Sequence, residues 1–322
     1  MSGFTGSAFR RLARRLGADL TWSELISAHL VLIKGLSDPL LHVTPKERPL
    51  RLQLYGSEPE ALFQAAKVVL QTIRPEGLDL NAGCPARKVV RTGAGAALLT
   101  DRKKLLTIAR GLAELASSFG VDFSVKFRLG FEKDELEVIA ETLLKAGVKT
   151  LALHPRLAKE GFSGRARWDR VKDLKKLVGK EISVYLSGDV RSLEDFWRAV
   201  QETGCDGVLI GRAALARPWI FAEIKGGKTL ELKASDRIAL LEELGSYLDY
   251  VEGEQRLKIL KLFVPKFLKG IPGRRKLLPE LLAEEREEKF WARLRSLNET
   301  HRPETNQSSQ KDRQLSGITH HH

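Results

Sequence analysis

Cysteine is scarce in this 322-residue chain: Cys84 and Cys205 are the only two. That excludes a disulfide framework and fits a reducing cytoplasm. Neither has a second Cys or His at ligand spacing, so a zinc site is not expected. No apolar run reaches the length needed to span a bilayer, and Arg10, Arg11, Arg14 and Arg15 interrupt what would have to be a signal peptide. A glycine-rich dinucleotide fingerprint with a following acid is also absent, which leaves a Rossmann site without support. Acidic residues are in deficit, 41 against 54 Lys and Arg, for a net charge of +13. Such a surface attracts polyanions, nucleic acid first, although a basic soluble protein would carry the same charge. The hydrophobic content of 43% suffices for one large core or two domains.

What is present is alternation. Ser7 to Leu16 reads as an amphipathic helix with Phe9 and Leu12 inward and arginines outward. Strands are then predicted at Asp19–Leu25, Leu50–Tyr55, Leu78–Leu80, Asp122–Arg128, Lys149–Leu153, Ile182–Leu186 and Gly207–Ile210. Helices between them are predicted at 25–34, 58–73, 101–118 (with Asp101 as N-cap), 134–146, 168–178, 193–203 and 213–224. Strand–helix alternation over this length implies a parallel sheet with right-handed crossovers. Seven strands could form an open doubly wound sheet. A TIM (β/α)8 barrel is preferred, because Gln53, Asn81, Lys126, Arg128, His154, Ser187 and Gly211 sit at the ends of different strands, which in a barrel converge on one mouth. A closed barrel needs an eighth strand, expected just upstream of Met1, so the first strand reads as truncated.

The pattern changes after Gly226. Helices are predicted at 234–250, 254–268 and 279–297, with no strands. This gives a catalytic barrel domain at 1–226, a small all-helical domain at 227–298 and a disordered polar tail at 299–322, ending in a tag remnant at His320–His322. Arg256 to Lys276, including Lys261, contains eight Lys and Arg and no acid, interleaved with Phe263 and Phe267. Charge with aromatics nearby suits a nucleic-acid backbone; a solvated helix face with its apolar side packed would look the same.

One stretch carries the clearest chemistry. Residues 78 to 99 begin as an apolar strand and break into Asn81-Ala82-Gly83-Cys84-Pro85, followed by Arg87, Lys88 and Arg91 and by Gly93-Ala94-Gly95. Pro85 cannot continue a strand and Gly83 permits a sharp turn, which leaves a lone thiol presented at a strand tip. A reaction needing a positioned proton donor or nucleophile would use it so; an ordinary small buried cysteine fits the spacing equally well. Lys126 and Arg128 alternate with Val125 and Phe127 and share one face, where buried cations need an anion opposite. Ser187-Gly188-Asp189 and Gly211-Arg212 end the last two strands, where barrels often build a phosphate cradle. His154 reads either as a hydrogen-bonding site residue or as a satisfied core histidine.

These residues resemble the tRNA-dihydrouridine synthases, the bacterial B-type most closely. The matching segments are MSGFTGSAFRRL, LQLYGSEPE, LDLNAGCPARKVVRTGAGAALL, VKFRLG, HPRLAKEGFSGRARWD, SGDV and GVLIGRAALARPWIF, in the family's order over residues 1 to 224. The resemblance implies an FMN-binding barrel that reduces a tRNA uridine to 5,6-dihydrouridine with NADPH, as a cytoplasmic monomer without metal or membrane partner. It implies that Cys84 protonates C5 while hydride passes from flavin N5 to C6, and that the uracil leaves its stack to reach the flavin. It assigns FMN contacts to Met1, Ser2, Gln53, Lys126, His154, Ser187, Gly188, Asp189, Gly211 and Arg212. Substrate contacts fall to Asn81, Arg128, Arg87 and Lys261. The chain departs from the family in carrying Ser187 where Asn is usual, in Ser2-Gly3-Phe4, and in beginning at Met1 where a strand ending in Ala-Pro normally precedes. Two other readings compete: a tRNA-binding protein or chaperone that has lost flavin chemistry, and a flavin reductase of a free pyrimidine.

Overall fold

A computed structural model describes residues 3 to 299. Seven parallel strands run in sequence order: β1 Thr21–Ser27, β2 Leu50–Tyr55, β3 Gly77–Ala82, β4 Asp122–Arg128, β5 Thr150–His154, β6 Ser183–Ser187 and β7 Gly207–Leu209. Every neighbouring pair is parallel. The sheet is curled: Trp22 on β1 meets Tyr185 on β6 edge to face, ring centroids 5.8 Å apart. Among the described residues β1 pairs only with β2 and β7 only with β6, so the arrangement is a half-barrel with flanking helices, of TIM-barrel type.

The helices form where the apolar period and the caps agree. Pro59–Thr72 starts on a proline, whose missing amide costs nothing in a first turn, and buries Leu62, Ala65, Ala66, Val69 and Leu70 on one stripe. Asp101 caps Arg102–Ser118 by accepting from the Lys104 amide at 2.9 Å. That helix buries Leu105, Ile108, Ala109 and Leu112 against the sheet. Gly77–Ala82 is buried along its whole length, as expected of a strand covered on both faces.

Several expected boundaries move. β1 extends to Ser27, whose hydroxyl caps the next helix at the Leu30 amide. The helix expected over 213–224 is two, Arg212–Ala216 and Ile220–Gly226, because Pro218 has no amide and Arg217 before it leaves the helical region at φ −142°, ψ 71°. The helix expected over 279–297 also divides, into Arg274–Ala283 and Glu287–Glu299, at Glu284 with φ −67°, ψ 130°. There the Glu284 carboxylate accepts from the Arg286 amide and from Arg293 Nε, both at 3.2 Å.

The arginines of the first helix, Ser7–Arg15, do not all face outward. Arg10 is buried and gives its guanidinium to Glu47 Oε2 at 2.5 Å, Thr5 O at 2.6 Å and His42 O at 3.0 Å. Arg11 is buried too, paired with Asp249 at 2.9 Å and the Tyr247 carbonyl at 3.1 Å. Arg10 is satisfied by fixed partners, and Arg11 keeps its acid and carbonyl although its Nε is buried without a partner.

A second hydrophobic core joins this first helix to the end of the barrel and the helical region. Ala8, Phe9 and Leu12 pack with Leu215, Trp219 and Ile220 and with Leu241, Leu260 and Phe263. Phe263 lies on the helix Gly253–Phe267, stacks on Phe9 at 5.5 Å and meets Phe4 edge to face at 5.6 Å. Phe263 and Phe267, expected beside nucleic acid, are therefore core residues. The residues of the expected polar tail from 300 onward lie outside the described residues, as do Met1 and Ser2.

Candidate active site at the barrel mouth

Strand alternation and register assemble the mouth. On β3, Asp79 and Asn81 alternate with Leu78, Leu80 and Ala82, so the two polar side chains share one face. Gln53 on β2 stands beside Asp79, Lys126 on β4 beside Asn81, and Arg128 beside His154 of β5.

A hydrogen-bonded relay crosses these strands. Ser124 donates to Asp79, Gln53 Nε2 donates to the other Asp79 oxygen at 2.6 Å, and Asn81 Nδ2 donates to Gln53 Oε1 at 2.8 Å. Asn81 Oδ1 then accepts the amides of Gly83 at 3.2 Å and Cys84 at 2.9 Å. The Cys84 carbonyl in turn accepts from the Ala96 amide at 3.0 Å. Gly95 has φ +59°, and a Cβ there would stand 2.6 Å from the Cys84 carbonyl oxygen, so glycine is required behind the thiol. Cys84 itself is partly exposed, whereas Cys205 is buried, where burial raises its thiol pKa.

Arg128 is buried and satisfied. Its Nε donates to Gly83 O at 2.9 Å, and one terminal nitrogen donates to Leu157 O at 3.0 Å and Gly161 O at 2.7 Å. It thus ties the Cys84 turn to the loop after β5. Burial, with Arg156 adjacent, lowers its pKa to about 10, and the charge is retained. Lys126 differs. Its ammonium is only partly exposed and has no hydrogen-bond or ion-pair partner among the described residues. Burial first, then the charge of Arg128, brings its pKa down to about 8, while Asp79 and Cys84 pull it upward.

Beyond β5 lies a cationic cluster. His154 Nε2 is 3.0 Å from Arg156, and burial together with Lys126, Arg128, Arg156 and Arg212 drives the imidazole pKa down to about 2, so the ring is neutral. Arg156 is fully buried, bonded to Asp189 at 2.7 Å and to the carbonyls of Ser163 at 3.1 Å and Gly164 at 2.7 Å. Asp189 also accepts the Ala166 amide at 2.7 Å. Burial opposes its ionisation, but that amide and Arg156 hold its carboxyl below the ordinary range. Gly188 runs at φ +125°, and a Cβ there would stand 3.2 Å from His154 Nε2. Arg212, after Gly211, reaches Asp189 only at 3.5 Å and is largely exposed, with Phe162 stacked 4.4 Å from its guanidinium carbon.

The structure therefore brings Gln53, Asn81, Cys84, Lys126 and Arg128 into one group, and His154, Gly188, Asp189 and Arg212 into an adjoining one. Ser187 ends β6 beside Leu209. Arg87, exposed, opens a short helix after Cys84. Lys261 lies in the helical region and shares no hydrogen bond or ion pair with either group. Sequence reading missed Asp79, Ser124 and Arg156. The signal for Asp79 was its two-residue spacing from Asn81, and for Arg156 its two-residue spacing from His154. Among the described residues no cluster of His, Cys, Asp or Glu could hold a metal ion, and no helix is long and apolar enough to cross a membrane.

A TIM-barrel-type half-barrel whose strand ends gather a fixed thiol, an unpartnered lysine and a cluster of arginines defines an α/β protein with an anion-ready mouth. The chain belongs to the dihydrouridine synthase (Dus) family, whose match covers residues 1–310, and is an enzyme of that family. It is 43% identical over 278 residues to a probable tRNA-dihydrouridine synthase of Aquifex aeolicus, covering 86% of this chain and 87% of that one. It is 33% identical over 285 residues to tRNA-dihydrouridine synthase B of Pseudomonas syringae, covering 85% and 82%. A probable tRNA-dihydrouridine synthase of Treponema pallidum is 32% identical over 232 residues, covering 70% and 68%.

Proposed function

We propose that this protein reduces a uridine of tRNA to 5,6-dihydrouridine, with FMN as its cofactor and NADPH as reductant, acting as a cytoplasmic monomer. The observation that carries the reading is the placement of Cys84: a partly exposed thiol fixed by Asn81 at the end of β3, beside Lys126 and Arg128. The names of the relatives supply the substrate class.

The residues fit a flavin nucleotide. The Lys126 ammonium has no ion-pair or hydrogen-bond partner among the described residues, which suits an anionic ring system. The Gly188 turn, at a φ of +125° that strains any side chain, lets backbone approach a ligand closely, and Arg212 is free enough of Asp189 to meet a phosphate. Gln53 and His154 would lie along the ring, Ser187, Gly188, Asp189, Gly211 and Arg212 around the phosphate, and Met1 and Ser2 would contribute backbone contacts. When bound and reduced, FMN supplies the hydride for C6 of the uracil.

The protein's own residues do the rest. Cys84 delivers its thiol proton at C5, from a backbone position that the Asn81 carbonyl and Gly95 hold fixed. Asn81 orients the base. Arg128 keeps the Cys84 turn in register by bonding the Gly83 carbonyl. Arg87 and the Lys261 stretch would meet tRNA phosphates, positioning the substrate without reading its sequence. The test is to purify the protein, identify any released flavin, and digest tRNA treated with protein, FMN and NADPH. Dihydrouridine in the digest supports the proposal. A protein that binds tRNA but yields none, with FMN supplied, would overturn it in favour of a binding role.

A further inference from the structure

We propose that Asp79, held by Ser124, is a positioning residue that sets the hydrogen-bond polarity of Asn81, so that Asn81 offers the substrate an N–H and no acceptor. The inference rests on the function proposed above and adds to it residues that neither touch the thiol nor stand at the end of a strand.

Asp79 is fully buried between β2 and β4, and both of its oxygens accept, one from Ser124 and one from Gln53 Nε2. An amide has one donating and one accepting end. With its nitrogen turned to Asp79, Gln53 must present its oxygen to Asn81, and Asn81 must answer with nitrogen at 2.8 Å. Its oxygen is then left for the amides of Gly83 and Cys84, which fill both lone pairs. The two ends of the relay demand the same polarity, since a backbone amide can only donate and the Asp79 oxygen facing Gln53 accepts. What remains unspent on Asn81 is one N–H.

The consequence is specificity as well as placement. A lone donor pairs with a ring carbonyl, as in uracil, and is opposed by an exocyclic amino group at the same position. The relay also fixes the backbone carrying the thiol, because the Cys84 amide is bonded to the same oxygen. A buried polar chain of this kind is stiff only when every member is satisfied. Removing Asp79 leaves the Gln53 nitrogen without its acceptor and frees the Gln53 amide to turn, so that Asn81 is held from one end alone, by the Gly83 and Cys84 amides.

The test pairs activity with a readout that needs neither flavin nor tRNA. In Asp79→Ala, hydrogen exchange of the Gly83 and Cys84 amides should quicken by about tenfold, the loss of roughly one hydrogen bond, while exchange in β5 stays unchanged. Dihydrouridine formation should fall by about a hundredfold in kcat with KM for tRNA little altered, since misplacement by about an ångström costs that much. Asp79→Asn, which restores an acceptor toward Gln53, should recover most of both. Ser124→Ala, which retains the carboxylate, should shift both in the same direction by about threefold, and it serves should Asp79→Ala fail to fold. Unchanged exchange at Gly83 and Cys84 in a folded variant would overturn the proposal. If the wild-type protein makes no dihydrouridine, the activity arm falls with the proposed function, while the exchange arm still decides the relay.

Discussion

Around the barrel mouth Arg128 and Arg156 are buried and give their protons to named carbonyls and to Asp189, whereas in the helical region Lys261, Lys269, Arg275 and Lys276 have no ion pair among the described residues. The neighbouring Arg256 is spent on Glu287 at 2.9 Å and Lys258 on Glu254 at 3.1 Å. The first set of cations is fixed geometry: each holds a turn or loop in place, and its loss leaves buried groups unpaired. The second set is a field of cations with no fixed acidic partner among the described residues. A single net charge therefore conceals two kinds of cation, one fixed at the strand ends and one left unpaired on the helices. The function proposed above would use the first for chemistry and the second for docking.

The comparison breaks most sharply at the thiol. Cys84→Ala should reduce dihydrouridine formation by at least about a hundredfold while leaving tRNA affinity unchanged, because general-acid catalysis typically contributes that much. Equal loss of affinity would mean that the mouth also docks the substrate. Arg156→Ala should destabilise the fold by on the order of 3 kcal/mol in denaturant titration, since it removes the buried partner of Asp189 and leaves two carbonyls unpaired. A change within about 0.5 kcal/mol, the ordinary range of surface substitutions, would remove Arg156 from the structural set.

Lys126 sits between the two kinds of cation, half-buried yet unpaired. Its folded pKa of about 8 lies below the ordinary 10.5, so between those pH values the unfolded chain holds a proton that the folded one has released. Stability of the flavin-free protein should therefore rise with pH across that window, by on the order of 2 kcal/mol from this group. Lys126→Met should lack that rise, and thermal unfolding of both proteins from pH 7.5 to 10.5 compares them. Anion binding at the mouth should weaken as pH climbs through about 8, because only the protonated amine attracts the ligand. The smallest effects belong to the helices. Lys261→Ala, Lys269→Ala and Lys276→Ala should each weaken tRNA binding modestly and reduce its salt slope by about one, whatever the tRNA sequence. A slope unaffected by all three would place the docking face elsewhere.

The sequence made the strands legible because parallel strands buried on both faces are short apolar runs between helices of regular period, as β3 and β4 illustrate. Gln53, Asn81, Lys126 and His154 could be found because strand ends are where a barrel gathers side chains. Ser124 could not, and Asp79 only through its two-residue spacing from Asn81, since their pairing exists only once β2, β3 and β4 are in register. Phe263 and Phe267 misled for a different reason: aromatics among lysines look the same whether the helix turns them to a nucleic acid or to a core. The break at Pro218 was written in the residue itself but masked by the apolar period on either side.

The central claim is that a thiol at the end of β3 protonates a uracil of tRNA. Nucleoside analysis of tRNA lacking dihydrouridine, after incubation with FMN, NADPH and either wild-type or Cys84→Ala protein, addresses it directly. Dihydrouridine is expected with the wild-type protein and almost none with the variant. Equal yields from the two would contradict the account.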